Sequence, residues 1–276
     1  MISIAIPAYN RSHYIRSAIQ SCLDQTHPDF EVVLGDSSPH GKIREIAESF
    51  RSSRLRYLSY DPSTELTAKL NLLLNEARGE WMLILCDDDL LAPQYLDRML
   101  AGIREFPQAT LFRPRYRLID SEGQELRVDL PCQRYMSPVE FVNKVLMPEK
   151  YFFKMNITGI LFRREHLLSK GGFPVLPVPW HTDRLTWTML ASQGGCVFDA
   201  EPTCSIRLHA GSVTSSFVKH VVNSVDSDLK AKRIFMEIIE ELDARYASAD
   251  EKRLIASARI NLVRYMGRHL SRTFDH

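Results

Sequence analysis

Short apolar runs and amphipathic stretches alternate along the first third of the chain. Ile2-Ser3-Ile4-Ala5-Ile6 reads as a strand stopped by Pro7, Phe30-Glu31-Val32-Val33-Leu34 as a second and Leu55-Arg56-Tyr57-Leu58 as a third. Trp81-Met82-Leu83-Ile84-Leu85-Cys86 reads as a fourth, apolar enough to be buried on both faces. Between them apolar positions recur at helical spacing. The first such stretch holds Tyr14, Ile15, Ala18, Ile19 and Cys22, with Asn10 placed to cap it; the others span residues 43–50 and 66–77, the last stopped by Gly79. Strand–helix alternation with short connections predicts an α/β fold with a mostly parallel sheet covered on both faces.

Beyond residue 93 the rhythm is less regular. Residues 95–106 read as a helix, 109–112, 116–119 and 158–162 as strands, and Ser137-Pro138-Val139-Glu140 as a capping-box helix start. Gly171-Gly172 followed by Pro174, Pro177 and Pro179 forms a loop, and residues 180–192 are helix-like. Residues 223–271 contain no proline and one glycine and read as almost wholly helical. The expected division is a domain over 1–222, with halves of about 1–95 and 96–222, and a helical segment over 223–276.

Composition excludes several classes. A net charge of +1 over 276 residues gives no field to gather nucleic acid. Five scattered cysteines, with no CxxC, argue against a disulfide framework or a zinc site and fit a reducing cytoplasm. The first residues lack the pattern of a signal peptide, and no window has the length of a membrane span.

The candidate chemistry lies at the end of the fourth run. Asp87-Asp88-Asp89 follows it directly. Adjacent carboxylates repel and raise each other's pKa unless a cation or hydrogen-bond donors compensate. Mg²⁺ or Mn²⁺ would do so, and such ions commonly take substrate phosphates as further ligands. The competing reading is an acidic cap for the helix near Gln94.

Several segments then fall into one order. They are Ile4-Ala5-Ile6-Pro7-Ala8-Tyr9-Asn10-Arg11, Ser21-Cys22-Leu23-Asp24-Gln25-Thr26, Phe30 to Ser38, Lys69-Leu70-Asn71, Ala77-Arg78-Gly79-Glu80-Trp81 and Asp87-Asp88-Asp89 with Pro93. Phe162-Arg163-Arg164, Gly171-Gly172-Phe173, Asp183 and Arg207-Leu208-His209 with Gly211-Ser212 follow. Over residues 2 to about 215 the chain resembles family 2 glycosyltransferases of the GT-A fold, which are inverting enzymes that use nucleotide sugars.

The resemblance implies roles. Pro7, Ala8, Tyr9, Asn10, Arg11 and Asp36 would hold the nucleoside, with Lys69 and Asn71 facing the diphosphate or ribose. Asp87, Asp88 and Asp89 correspond to the DxD-type motif that binds Mn²⁺ or Mg²⁺, with Asp87 and Asp88 also touching the donor and His209 as a further ligand. Asp183 would be the general base. Phe173, Trp180, His181 and Arg207 would face acceptor or diphosphate, and His181 is an alternative base. Each has a plainer reading: an Asx turn for Asp36, a solvated face for Lys69, a helix cap for Asp183, a structural histidine for His209 and core packing for Phe173 and Trp180. The implied partners are a nucleotide-sugar donor, with UDP as default carrier, and a saccharide or lipid-linked saccharide acceptor in surface polysaccharide synthesis. The basic residues of the C-terminal helices fit contact with an anionic membrane face, packing on the catalytic domain or pairing of two subunits. Two other classes stay open: a nucleotidyltransferase, which lacks its usual Gly-rich loop here, and a non-catalytic binding module.

Overall fold

A computed structural model describes residues 1–147, 155–209 and 225–274. Four strands, β1 (Ile2–Ala8), β2 (Phe30–Asp36), β3 (Leu55–Ser59) and β4 (Trp81–Ile84), pair in parallel in the order β3-β2-β1-β4. Between and after them lie α1 (Ile15–Leu23), α2 (Lys42–Ser49), α3 (Leu66–Glu76) and α4 (Tyr95–Glu105). The parallel half of the sheet is therefore the one legible from the apolar runs.

Register sets where the strands end. Ala8 pairs with Asp36 across β1 and β2, whereas β1 pairs with β4 only as far as Ala5 and Ile84. Pro7, expected to stop β1, lies inside it beyond the last β4 pair. There its missing N–H interrupts no β1–β4 pair. Leu85 leaves the strand after donating to the Ala5 carbonyl at 2.9 Å, so Cys86 and the three aspartates emerge at the carboxyl edge of the sheet. That edge is where open α/β sheets bind ligands.

The second half completes the sheet. A short strand, β5 (Leu90–Leu91), follows the aspartates; β6 (Leu111–Arg113), β7 (Tyr116–Ile119), β8 (Glu125–Val128) and β9 (Tyr135–Met136) come next, then α5 (Pro138–Val145), β10 (Leu161–Arg163), α6 (Arg164–Ser169), α7 (Thr182–Gly194), β11 (Cys196–Phe198) and β12 (Cys204–Arg207). The main sheet continues β4-β10-β6-β11-β9, with β10 antiparallel to both neighbours. A smaller sheet runs β5-β12-β7-β8. Because β12 pairs antiparallel with β5, it carries Arg207 back beside the aspartates. No helix among the described residues is long and apolar enough to cross a membrane.

Side chains alternate across the sheet, so the two faces bury different sets. Ile4, Ile6, Val32, Leu34 and Leu83 pack with residues of α1, α2 and α4. Ala5, Val33, Met82 and Ile84 pack with α3, α5, α7 and the last two helices, α8 (Val225–Arg245) and α9 (Ala249–Phe274). Phe235 of α8 and Leu262 of α9 are wholly buried there. Burial of each contributes about 1.5–3 kcal/mol, so the C-terminal helices share the core of the sheet.

Two local expectations are corrected. Asn10 does not cap α1, which starts at Ile15 with Tyr14 before it and no side-chain cap; Asn10 sits at φ 57° and donates its N–H to Ser38 Oγ at 2.8 Å. A loop that must turn sharply between β1 and α1 uses Asn there because Asn tolerates the left-handed region. Asn71, expected at the diphosphate, spends its side chain on the loop after α6. Its Oδ1 accepts from Phe173 N–H at 2.7 Å and its Nδ2 donates to the Phe173 carbonyl at 3.0 Å.

Both glycines of that loop have positive φ, 84° at Gly171 and 87° at Gly172. A Cβ at Gly171 meets open space, and one at Gly172 collides with Asn71 Oδ1. Gly171→Ala should therefore cost about 1 kcal/mol from backbone strain alone, and Gly172→Ala distinctly more. Urea unfolding of the two variants measures the difference; equal losses would contradict this account of the loop.

Candidate functional site

The acidic triplet is buried: Asp87, Asp88 and Asp89 are 3%, 6% and 3% exposed. It caps no helix. The next helix is α4, whose preceding residue is Gln94. Its partners come instead from distant segments. The loop after β1 supplies Tyr9 N–H to Asp87 Oδ2 at 3.2 Å, and Arg11 bridges Asp87 Oδ1 at 2.8 Å and Asp88 Oδ2 at 2.9 Å. The end of β12 supplies Arg207 N–H to Asp89 Oδ1 at 2.9 Å and Arg207 Nε to the Asp88 carbonyl at 3.0 Å. His209 Nε2 lies 2.9 Å from Asp88 Oδ2.

A supporting layer fixes these groups. One guanidinium nitrogen of Arg207 also donates to the carbonyls of Asp120 and Ser121, and the group lies 4.6 Å from the Tyr14 ring centre. Tyr14 in turn packs on His209 with ring centres 5.1 Å apart. Thr158 accepts from Cys86 N–H at 3.2 Å and its hydroxyl bonds Asp89. Tyr14 and Thr158 carried no functional signal in the sequence, since a helix-face tyrosine and a strand-end threonine are ordinary.

The electrostatics leave the triplet short of positive charge. Asp87 is pushed up to about 6 by burial, reinforced by Asp88 and opposed by Arg11 and the Tyr9 N–H. Asp89 is pushed up to about 8 by burial and then by Asp88, against the Arg207 N–H and Thr158. Arg11 and the backbone donors thus offset only part of the cost of three buried carboxylates. Among the described residues, ligand atoms of Cys86, Asp88 and Asp89 lie within 4.8 Å of one another. Burial and the three aspartates push the Cys86 thiol well above its ordinary value. It therefore stands beside the oxygens as a neutral neighbour. Hard carboxylate oxygens in excess of their counter-charges are the donor set that Mg²⁺ or Mn²⁺ takes.

Lys69 and Asp36 complete the near side. Lys69 is 3% exposed and donates from Nζ to the Ala8 carbonyl at 2.7 Å, with Tyr9 5.5 Å away over its ring, so it lies on no solvated face. Burial lowers its pKa, with Asp87 and Asp36 acting in the opposite direction. Asp36 makes the Asx turn, accepting Ser38 N–H at 2.8 Å, and its other oxygen accepts Tyr57 OH at 2.9 Å. Pro7 and Ala8 end β1 above it.

The acceptor-side candidates separate. Asp183 lies in the first turn of α7, half-buried, where Oδ1 accepts Arg184 N–H at 2.7 Å. Burial raises its pKa, and Arg184 and His181 pull the other way. Phe173 is 1% exposed and packs edge-on against Phe162, and His181 is 0% exposed with both ring nitrogens engaged. Neither presents a surface to an acceptor, so the expectation for both is corrected: packing claims them. The Trp180 side chain, like Gly211 and Ser212, lies outside the described residues.

Comparison with known proteins agrees with this geometry. The glycosyl transferase family 2 profile matches residues 3–167. An uncharacterized glycosyltransferase of Rickettsia typhi is 25% identical over 221 residues, covering 78% of this chain and 66% of the relative. One of Rickettsia conorii is 27% identical over 174 residues, covering 57% of this chain and 28% of its own length. The chain thus spans from about a quarter to two thirds of those relatives. Among solved structures, S. aureus TarS residues 1–349 in complex with UDP superposes with a TM-score of 0.69 at 17% identity, covering 98% of this chain and 72% of that one. Mannosyltransferase PcManGT from Pyrobaculum calidifontis, in complex with GDP-Man and Mn²⁺, gives 0.60 at 18% identity, covering 99% and 86%. These likenesses show the GT-A fold. With the profile spanning 165 of 276 residues, the chain belongs to glycosyl transferase family 2.

Proposed function

We propose that this chain is a divalent-cation-dependent inverting glycosyltransferase. It would move a sugar from a nucleotide-sugar donor, with UDP as carrier, to a hydroxyl of a saccharide or lipid-linked saccharide in surface polysaccharide synthesis, at the cytoplasmic side. The observation that carries the reading is the buried aspartate triplet at the carboxyl edge of the parallel strands, held by Arg11 from the first loop, by Arg207 at the end of the last strand and by His209 just beyond it. The complexes of the structural neighbours with UDP and with GDP-Man and Mn²⁺ support the donor class.

In this reading the β1 loop, residues 7–11, and Asp36 wall the nucleoside, with Lys69 behind them. Asp87, Asp88 and Asp89 would hold Mn²⁺ or Mg²⁺, with His209 as a further ligand. The ion supplies charge neutralisation for the departing nucleoside diphosphate. Asp183 takes the proton from the acceptor hydroxyl as that oxygen attacks the anomeric carbon opposite the leaving group, which inverts the stereocentre in one displacement. A carboxylate with a raised pKa suits that task, because a base works best when its pKa lies near the working pH.

Two outcomes are expected. Incubated with UDP-GlcNAc, UDP-glucose and GDP-mannose, Mn²⁺ and a saccharide acceptor panel, the protein should release nucleoside diphosphate. Asp183→Asn should slow release by roughly 10²–10⁴-fold with UDP affinity kept. Release of pyrophosphate would instead indicate nucleotidyl transfer.

The second outcome is a pH dependence. Asp87 and Asp89 titrate above their ordinary values when folded, so the stability tied to their protons is present at low pH and lost as pH rises through about 6 and then about 8. Mn²⁺ must displace those protons. Its affinity should therefore climb across that window, with proton release visible by calorimetry in buffers of different ionisation enthalpy. An affinity flat across the window would contradict the assignment of the site.

A further inference from the structure

The C-terminal helices meet the rest of the chain at the segment that carries Asp183. The 3-10 turn Pro179–His181 leads directly into α7, and its last residue, His181, lies two positions before Asp183. His181 Nε2 is 2.7 Å from Asp228 Oδ1 in the first turn of α8, and Nδ1 is 2.8 Å from Tyr265 OH on α9. All three side chains are buried, at 0%, 1% and 5% exposure. The Arg184 guanidinium, on the residue after Asp183, lies 4.5 Å from the Tyr265 ring centre. Further along the approach to α7, Val178 N–H donates to Ser227 Oγ at 2.7 Å and Lys230 Nζ donates to the Val175 carbonyl at 2.9 Å. Thr182 Oγ1 donates to the Pro174 carbonyl at 3.3 Å.

This is a costly way to attach two helices. Buried polar groups must each find a partner, and well-packed apolar side chains of similar volume commonly hold elements together at least as firmly. What directional bonds add is a fixed position. Among the described residues, the polar bonds from Ser227, Asp228, Lys230 and Tyr265 converge on residues 175–181, around the head of α7, while Arg245 reaches the Ser192 carbonyl at the other end of that helix and Asn261 reaches Asn143 of α5. The surrounding core already supplies apolar adhesion through Phe235, Ile239 and Leu262.

We propose that Asp228 and Tyr265 are positioning residues that act through His181. They hold the head of α7, and so aim the Asp183 carboxylate at the acceptor hydroxyl. The C-terminal helices would then be part of the acceptor half of the site and not of the donor half. The inference deepens the reading of Asp183 as the base and rests on it. Among the described residues, the titratable and charged groups around His181 include Asp183 from α7, Asp228 from α8 and Tyr265 from α9, with Arg184 against the Tyr265 ring.

Tyr265→Phe keeps the ring and removes only the hydroxyl; Asp228→Asn keeps the shape and removes the charge. Each is compared with wild type and Asp183→Asn, using whichever of UDP-GlcNAc, UDP-glucose and GDP-mannose the wild type turns over. Displacing a catalytic group by about an ångström costs on the order of 10²-fold. Both variants should therefore lower kcat by roughly ten- to a hundredfold, with donor KM and UDP–Mn²⁺ affinity changed less than about twofold. A second readout needs no turnover. In carbon-13 aspartate-labelled protein, with Asp183→Asn giving the assignment, the Asp183 carboxyl should titrate above the ordinary aspartate range in wild type and fall toward it in both variants. Unchanged kcat and unchanged titration in both variants would overturn the proposal, as would a loss of UDP affinity in step with kcat. Full turnover by Asp183→Asn would remove the base reading instead, and the titration would still report whether the network holds that carboxylate.

Discussion

Three carboxylates buried side by side at the end of one strand set the terms for the structure around them. Two unit charges about 4 Å apart in a protein environment interact by about 4 kcal/mol, so an uncompensated triplet would be too costly to fold. The chain answers with groups from segments far apart in sequence: the Tyr9 N–H and Arg11 from the first loop, the Arg207 N–H from the end of the last strand, His209 just beyond it, and Thr158 from the approach to β10. The compensation stops short. Asp87 and Asp89 still sit at about 6 and about 8, and that residual cost is what a divalent cation would relieve.

The fold brings those segments together by topology. Parallel pairing of β1, β2 and β4 gathers their carboxyl ends on one edge, and the reversed strand β10 then admits a second half beside the first. The small sheet works differently. Its strand β5 begins one residue after Asp89, and pairing with β12 returns Arg207 and His209 to the triplet they were separated from by more than a hundred residues. A two-stranded contact that short survives because β7 backs β12 along its length.

The parts legible in the sequence are those where local pattern and tertiary demand coincide. The apolar runs gave the four parallel strands, Ser137-Pro138-Val139-Glu140 gave the capping box of α5, and the position of the triplet directly after the fourth run put it at the carboxyl end of β4. Misreadings arose where one residue type serves several ends. Asn71 looked like a ligand contact and is a clamp on the Phe173 backbone; His181 looked like a reactive histidine and is a buried link; Asn10 looked like a cap and supplies a left-handed turn. Lys69 was the reverse case. Its helix position suggested solvent, and only the packing of α3 beneath the β1 loop shows it buried against Ala8. Thr158 and Tyr14 could not be read at all, since their importance comes from neighbours distant in sequence.

A cation held between the triplet and the phosphates of a nucleotide would link the acidic strand end to the donor. Pulsed electron-nuclear resonance on the Mn²⁺–UDP complex tests this directly. Phosphorus hyperfine coupling from the diphosphate should appear on the bound Mn²⁺ and vanish when Asp88 and Asp89 are both changed to Asn. Phosphorus coupling that persists in that double variant, or Mn²⁺ and UDP that bind wild-type protein with no coupling between them, would contradict it.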